Sequence, residues 1–301
     1  MRWGGRMRRR PLPAELGTAF TVREAYQLDV ARDRLLARDL SAPFHGVRAR
    51  RSPLCVRERC TAYAPRLTSA QFFSHETAAA LWDMPLPVAH PALLHVSAIA
   101  PAREPRTAGV IGHRLTISPA SLTLRGGLPV PTPAETWAQL ARSTTEDDLV
   151  AIGDHLLTHG LADRDELAEA CARLRRRGAV ELTPALAALR PGAESPRESK
   201  VRRILVRGGL PEPELNWTLC DAKGTFVARL DMAYPDHLVA VEYDGRHHAD
   251  VQQFRRDADR WPAIAAQGWI LIRVVDHHLR DPERLIVAPT VRALRSRGWR
   301  P

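Results

Sequence analysis

Thr225-Phe-Val-Ala-Arg-Leu-Asp231-Met-Ala-Tyr-Pro235-Asp-His-Leu-Val-Ala240-Val-Glu242-Tyr-Asp244-Gly245 is the stretch whose reading decides the fold. Phe226 to Met232 and Leu238 to Tyr243 are rich in β-formers and alternate in polarity, and Pro235-Asp236 supplies a turn. The pattern predicts an antiparallel hairpin closed at Tyr234 and His237, with Asp231 opposite Ala240. Glu242 is then its diagonal neighbour on the same face, roughly 7–8 Å away at the backbone. Acids at the apolar end of a strand are costly unless a cation compensates them. Two carboxylates about 5 Å apart repel by about 3 kcal/mol at an effective dielectric of 20. A magnesium ion, held by one or two carboxylates while keeping several waters, removes that conflict. The alternative is a hairpin whose acids face solvent and pair with Arg229 or Arg246.

The flanking segments complete a small unit. Glu194-Ser-Pro-Arg-Glu198 opens a helix, with Ser195 as N-cap, Pro196 in the first turn and Glu198 three residues after the cap. Val201, Ile204 and Leu205 form its apolar face, and Gly208-Gly209 end it. Leu215 to Leu219 reads as a strand, followed by a turn at Asp221-Ala-Lys-Gly224 and the hairpin. A helix over about Asp250 to Gln267 follows, with Asp250, Asp257 and Arg260 on a solvated face. Trp269 to Val275 is a buried strand, and Pro282 to Arg297 a last helix. The order is α-β-β-β-α-β-α.

Residues 194–301, on these motifs, resemble the PD-(D/E)XK restriction-endonuclease-like superfamily. Within it they resemble the uncharacterised bacterial domain family related to very-short-patch-repair (Vsr) endonucleases. The matching pieces are Glu194-Ser-Pro-Arg-Glu198, Arg229-Leu-Asp-Met-Ala-Tyr-Pro235, Val241-Glu-Tyr-Asp-Gly-Arg-His-His248 and Gly268-Trp-Ile-Leu-Ile-Arg273. The resemblance implies a metal-dependent DNA endonuclease using Mg²⁺, or Mn²⁺ in its place. Asp231 and Glu242 would be the metal ligands and Glu198 the helix-borne acid. Asp244 stands where a lysine is common, and Lys200 and Lys223 are the only lysines in the chain. His247 or His248 is the group expected to activate water or protonate the leaving oxygen, an imidazole being suited to neutral pH. The residues also have structural readings: Glu198 as a capping-box acid, Asp244-Gly245 as a strand-ending turn, and the histidines as the start of a surface helix.

The 301 residues allow two or three domains, and 45% hydrophobic residues is ordinary for a globular protein. No apolar run reaches the roughly 18 residues that span a bilayer, and Met1 to Arg10 is basic without a signal-peptide core. Cys55, Cys60, Cys171 and Cys220 lack zinc-site spacing and read as reduced thiols. A cytoplasmic protein with no membrane partner is expected.

The net charge of +10 is uneven: +8 over residues 1–60, −1 over 61–193 and +3 over 194–301. The basic head reads as a winged helix-turn-helix over residues 1–60. Thr21-Val-Arg-Glu24 is a capping box, Leu28-Asp29 a turn, Val30 to Arg38 a second helix, and Pro43 to Ala49 a wing strand. Arg23, Arg32, Arg34, Arg38 and Arg48 are the expected DNA contacts. Residues 61–180 read as an α+β region, and 181–193 as a linker to the nuclease-like unit. With Phe73-Ser-His-Glu-Thr-Ala-Ala-Ala-Leu-Trp82 and Thr132-Pro-Ala-Glu-Thr-Trp137, the N-terminal part resembles AbiEi-type antitoxins of type IV toxin–antitoxin systems. That resemblance implies a DNA-binding autoregulator and a cognate toxin protein as partner. His75, Asp154 and His155 show no ligand or catalytic spacing and read as core or cap residues. The expected class is therefore α/β to α+β, multidomain. The leading function is a Mg²⁺-dependent endodeoxyribonuclease with a DNA-binding head. The alternative is a DNA-binding regulator whose nuclease-like domain is inactive.

Overall fold

A computed structural model describes residues 10–87, 93–174, 179–245 and 260–301. The protein is of the α+β class. Among the described residues no helix is long and apolar enough to cross a membrane. The chain divides into two units, one ending at Leu140 and the other running from Ala141 to Pro301.

The first unit starts with β1 (Ala19–Thr21), α1 (Val22–Gln27), α2 (Arg32–Leu35) and β2 (Val47–Ala49), the two strands pairing antiparallel. Thr21 and Glu24 form the expected capping box on α1, and Asp29 takes a left-handed φ of 55° at the turn. The second helix is a single turn rather than the span Val30 to Arg38. Leu35 is its one buried residue while Leu36 is 62% exposed, so no apolar stripe anchors a further turn. The strand expected over Pro43 to Ala49 is confined to Val47–Ala49.

The rest of this unit comprises α3 (Val56–Tyr63), β3 (Gln71–Phe73), α4 (His75–Leu81), β4 (Leu94–Ile99), β5 (Val110–Leu115), β6 (Leu122–Arg125), β7 (Leu128–Pro131) and α5 (Pro133–Gln139). One sheet has the order β3-β4-β5, antiparallel then parallel. Tyr63, Phe73, Leu81, Leu94, Val96 and Val130 form its core.

The second unit opens with three helices, α6 (Glu146–Thr158), α7 (Arg164–Arg173) and α8 (Ala179–Ala188). The stretch read as a linker over 181–193 thus begins inside a helix, and α6 and α7 belong with the C-terminal unit rather than with the middle region. Then come α9 (Pro196–Arg207), β8 (Glu214–Cys220), β9 (Phe226–Tyr234), β10 (Val239–Asp244), α10 (described over 260–266), β11 (Ile270–Val275) and α11 (Ala288–Ser296). The sheet order is β11-β10-β9-β8, with β10–β11 parallel and the other pairs antiparallel.

Buried ion pairs bind α6 to α9. Arg202, fully buried, donates to Asp154 Oδ2 at 3.0 Å, to the Ala188 carbonyl at 2.8 Å and to Glu212 at 2.6 Å. Ser199 Oγ and the Arg190 N–H satisfy the remaining valences of Asp154. The core role expected for Asp154 is therefore met by a charge network. One face of the sheet packs Val201, Leu205, Met232, Val241, Val274 and Leu294 under α9 and α11. The other packs Leu219, Ala228, Leu230, Ala240, Ile264 and Trp269 under α10.

Candidate acidic site

The α9 N-terminus follows its sequence. Ser195 Oγ accepts from the Glu198 N–H at 3.2 Å and donates to Glu198 Oε1 at 2.7 Å, while the Glu194 N–H donates to Oε2 at 2.8 Å. Glu198 is therefore a capping acid, 9% exposed, with both oxygens engaged.

The hairpin departs from the predicted register. Pro235–His237 form a 3₁₀ turn, and Leu238 takes a left-handed φ of 51°, so the turn closes at Tyr234 and Val239. Ala240 faces Ala233 and Val241 faces Met232. Asp231 is not opposite Ala240; one further step of this register places it opposite Glu242. The backbone ladder ends there, and the Tyr243 N–H donates to Asp231 Oδ2 at 3.0 Å.

The neighbouring strand changes face at the same level. Asn216 has a φ of 51°. Leu215 and Met232 belong to one hydrophobic cluster, whereas Trp217 and Leu230 belong to the other. Asp231 sits at this irregularity, where an interrupted pleat re-aims side chains.

Burial, then Glu198 and Glu242 in turn, push the Asp231 carboxyl up to about 7; the Tyr243 N–H and Arg260 oppose the rise only in part. Glu242 is 7% exposed and is gripped bidentately by Arg260, Nη1 to Oε2 at 3.0 Å and Nη2 to Oε1 at 2.5 Å. Arg260 Nη2 also donates to the Arg229 carbonyl. The solvated face expected for Arg260 is corrected: its guanidinium turns inward because a buried carboxylate needs a counter-charge. Arg229, the partner considered for the acids, pairs instead with Glu194 at 2.8 Å.

Asp244 is not part of the trio. It pairs with Arg273 at 2.5 Å, and that guanidinium lies 3.7 Å over the Trp261 ring. Lys200 is bound to Asp148 at 2.5 Å and Lys223 lies in the turn after β8, so neither takes the motif position. His247 and His248, like Arg246, Asp250 and Asp257, lie outside the described residues.

The residues fit a cation in part. Asp231, raised by burial and then by its acidic neighbours, is the group a cation would relieve. Glu242 can join it only if Arg260 yields an oxygen. Glu198, Asp231 and Glu242 do not bring an oxygen each within a mutual 4.8 Å; among the described residues His75, His95 and His113 are the group that meets that spacing with nitrogens.

In the basic head, Arg23, Arg32 and Arg38 are exposed. Arg34 is instead bound to Asp39 and to the Arg10 carbonyl at 2.7 Å, and Arg48 donates to the Leu35 and Val47 carbonyls. Those two guanidiniums tie the head together.

No family model matches the chain. Over 156 residues, 51% of its length, it is 35% identical to the Uncharacterized protein MT2308 of Mycobacterium tuberculosis (strain CDC 1551 / Oshkosh). The same figures hold for the Uncharacterized protein Rv2248 of strain ATCC 25618 / H37Rv. The aligned part spans 57% of each relative's length.

Proposed function

We propose that the second unit is a Mg²⁺-dependent nuclease of restriction-endonuclease-like, Vsr-related fold, hydrolysing phosphodiester bonds in DNA delivered by the basic head. The observation that carries this reading is the Asp231 carboxyl, crowded by Glu198 and Glu242 and raised to about 7. A carboxyl shifted by burial together with specific charged neighbours is a functional-site candidate. Asp231 and Glu242 would hold Mg²⁺, or Mn²⁺ in its place. When bound, a divalent cation supplies Lewis acidity toward phosphate oxygens. Arg260 holds Glu242 in place until a cation competes for it. Glu198 holds its place through the α9 cap, and His247 or His248 is proposed to move the proton. Arg23, Arg32 and Arg38 supply salt-dependent phosphate contacts in a winged, AbiEi-like head.

A second reading has its own observation. Arg260 occupies both oxygens of Glu242, Arg273 occupies Asp244, and Lys200 is paired with Asp148. A regulator or antitoxin with an inactive nuclease-like unit, partnered by a cognate toxin, would tolerate those neutralised acids. The test is cleavage of plasmid and mismatch-bearing duplex by the full chain, with and without Mg²⁺, alongside Asp231→Ala. Mg²⁺-dependent nicking lost in the variant supports the nuclease. Equal inertness of both proteins, with DNA binding retained, establishes the regulator.

A further inference from the structure

His75, His95 and His113 come from three segments of the first unit: the start of α4, β4 and β5. The parallel register pairs His95 with Ile111 and Ser97 with His113, so the two histidines stand on one face, one diagonal apart. The Ser74 N–H donates to the His95 carbonyl at 3.0 Å, which sets the next residue, His75, beside them. The His75 and His113 rings stack with centroids 4.0 Å apart, and those of His95 and His113 lie 5.1 Å apart. One ligand nitrogen from each ring lies within 4.8 Å of the other two.

Two details distinguish this cluster from ordinary hydrogen-bonded histidines. His95 Nδ1 lies 3.1 Å from His113 Nε2 and 3.0 Å from Glu76 Oε2, yet one ring nitrogen carries at most one hydrogen. Glu76 Oε2 is buried and, in spite of that short distance, accepts no hydrogen bond. The His95–His113 contact can be a hydrogen bond, but its distance and that to Glu76 also match the edges of a coordination polyhedron. Metal–nitrogen bonds of about 2.0–2.1 Å in a tetrahedron set edges of ~3.3 Å.

We propose that His75, His95 and His113 bind one divalent transition-metal ion, Zn²⁺ by its ligand chemistry, in a site that pins α4 to β4 and β5, with the Glu76 carboxylate beside it, 3.0 Å from His95 Nδ1. Imidazole nitrogens select Zn²⁺ over Mg²⁺, and three histidine ligands leave the fourth tetrahedral position to water. The surroundings orient these ligands. His75 holds a left-handed φ of 48°, a strained conformation for a side chain of this size. Its N–H donates to Gln139 Oε1 at 3.1 Å, and its Nδ1 lies 3.0 Å from Ser74 Oγ, contacts that orient the ring. Ser97 Oγ donates to the Ser74 hydroxyl at 2.7 Å, and Thr77 Oγ1 accepts the His95 N–H at 2.7 Å. Ser74, Thr77 and Ser97 are all fully buried.

The test uses the full chain: metal content as purified, then chelation and titration with Zn²⁺ by calorimetry and with Co²⁺ by visible absorption. One equivalent of Zn²⁺ per chain, a tetrahedral Co²⁺ spectrum and a higher Tm with Zn²⁺ are expected. His113→Gln and His95→Gln weaken Zn²⁺ binding about 100-fold or more. Asp231→Asn retains it, which separates this ion from one at the acidic site. Substoichiometric binding by the wild-type chain, or an unchanged Co²⁺ spectrum in His113→Gln, overturns the proposal. Should His113→Gln fail to fold, the wild-type Co²⁺ spectrum decides: tetrahedral bands support the site and octahedral bands refute it.

Discussion

Asp154 and Asp231 are both aspartates drawn into the interior of the second unit, and their surroundings are opposite. Asp154 receives a buried guanidinium, a backbone N–H and a hydroxyl. Asp231 receives one backbone N–H, and its nearest charged neighbours include two acids. Burial raises both carboxyls, but at Asp154 the guanidinium, the N–H and the hydroxyl all oppose the rise and join three helices, whereas at Asp231 two acids add to it. The Asp231 carboxyl gives up its proton only near neutrality. Burial is common to both, so the difference lies in what the partners supply. A buried carboxylate met by cationic and hydrogen-bonding partners serves the fold, whereas one crowded by acids is a candidate functional group.

The comparison can be broken most forcefully at Asp154. Asp154→Ala strands Arg202 without its buried counter-charge and should cost about 3–5 kcal/mol. Urea denaturation of the full chain measures it, and a loss under 1 kcal/mol would show that the network is not what binds α6 to α9.

Asp231→Asn tests the opposite side. The folded carboxyl is raised above its unfolded value of 3.8. Its neutral form is thus favoured by folding, and stability should be fully present below pH 3.8 and decline as pH rises through about 7. An asparagine removes that penalty, which amounts to roughly 4 kcal/mol at most. At pH 8 the variant should be more stable than wild type, and near pH 4 equal to it, while Mg²⁺-dependent cleavage falls about 100-fold or more. A variant that is less stable at pH 8 would show that Asp231 is not under charge conflict.

Arg260→Gln sharpens the same point. Freed from the guanidinium, Glu242 should bind Mg²⁺ more tightly, by roughly 1–3 kcal/mol, the strength of a charged hydrogen bond. Stability without Mg²⁺ should fall by a similar amount. Calorimetric titration decides it, and unchanged Mg²⁺ affinity would show that Arg260 does not compete for the site.

The smallest effect belongs to the head. Arg32→Ala and Arg38→Ala should each lower the salt slope of DNA binding by about 1 without changing stability. Arg34→Ala and Arg48→Ala should instead lower the Tm. Fluorescence anisotropy at several salt concentrations, with thermal melts, separates the two sets.

Much of this was legible in the residues. Alternation placed β9 and β10, the Ser195–Glu198 spacing placed the α9 cap, and Thr21–Glu24 placed the α1 cap. These features depend on contacts within a few residues, which sequence order reports directly. The hairpin register was not legible, because two added turn residues, with Leu238 in the left-handed region, change every opposed pair. Arg260 was also out of reach. It lies 18 residues from Glu242, and only the docking of α10 against the sheet turns its guanidinium inward.

Composition and local pattern alone determined an α+β chain with a basic head, the strands that carry Asp231 and Glu242, and the caps that begin its helices. Tertiary structure alone decided which charges meet: Arg202 with Asp154, Arg260 with Glu242, and His75 with His95 and His113. The reason is physical. Caps and pleats are governed by backbone geometry over three or four residues. Charge and ligand encounters depend on sheet register and helix docking, which bring together residues 18 to 48 positions apart.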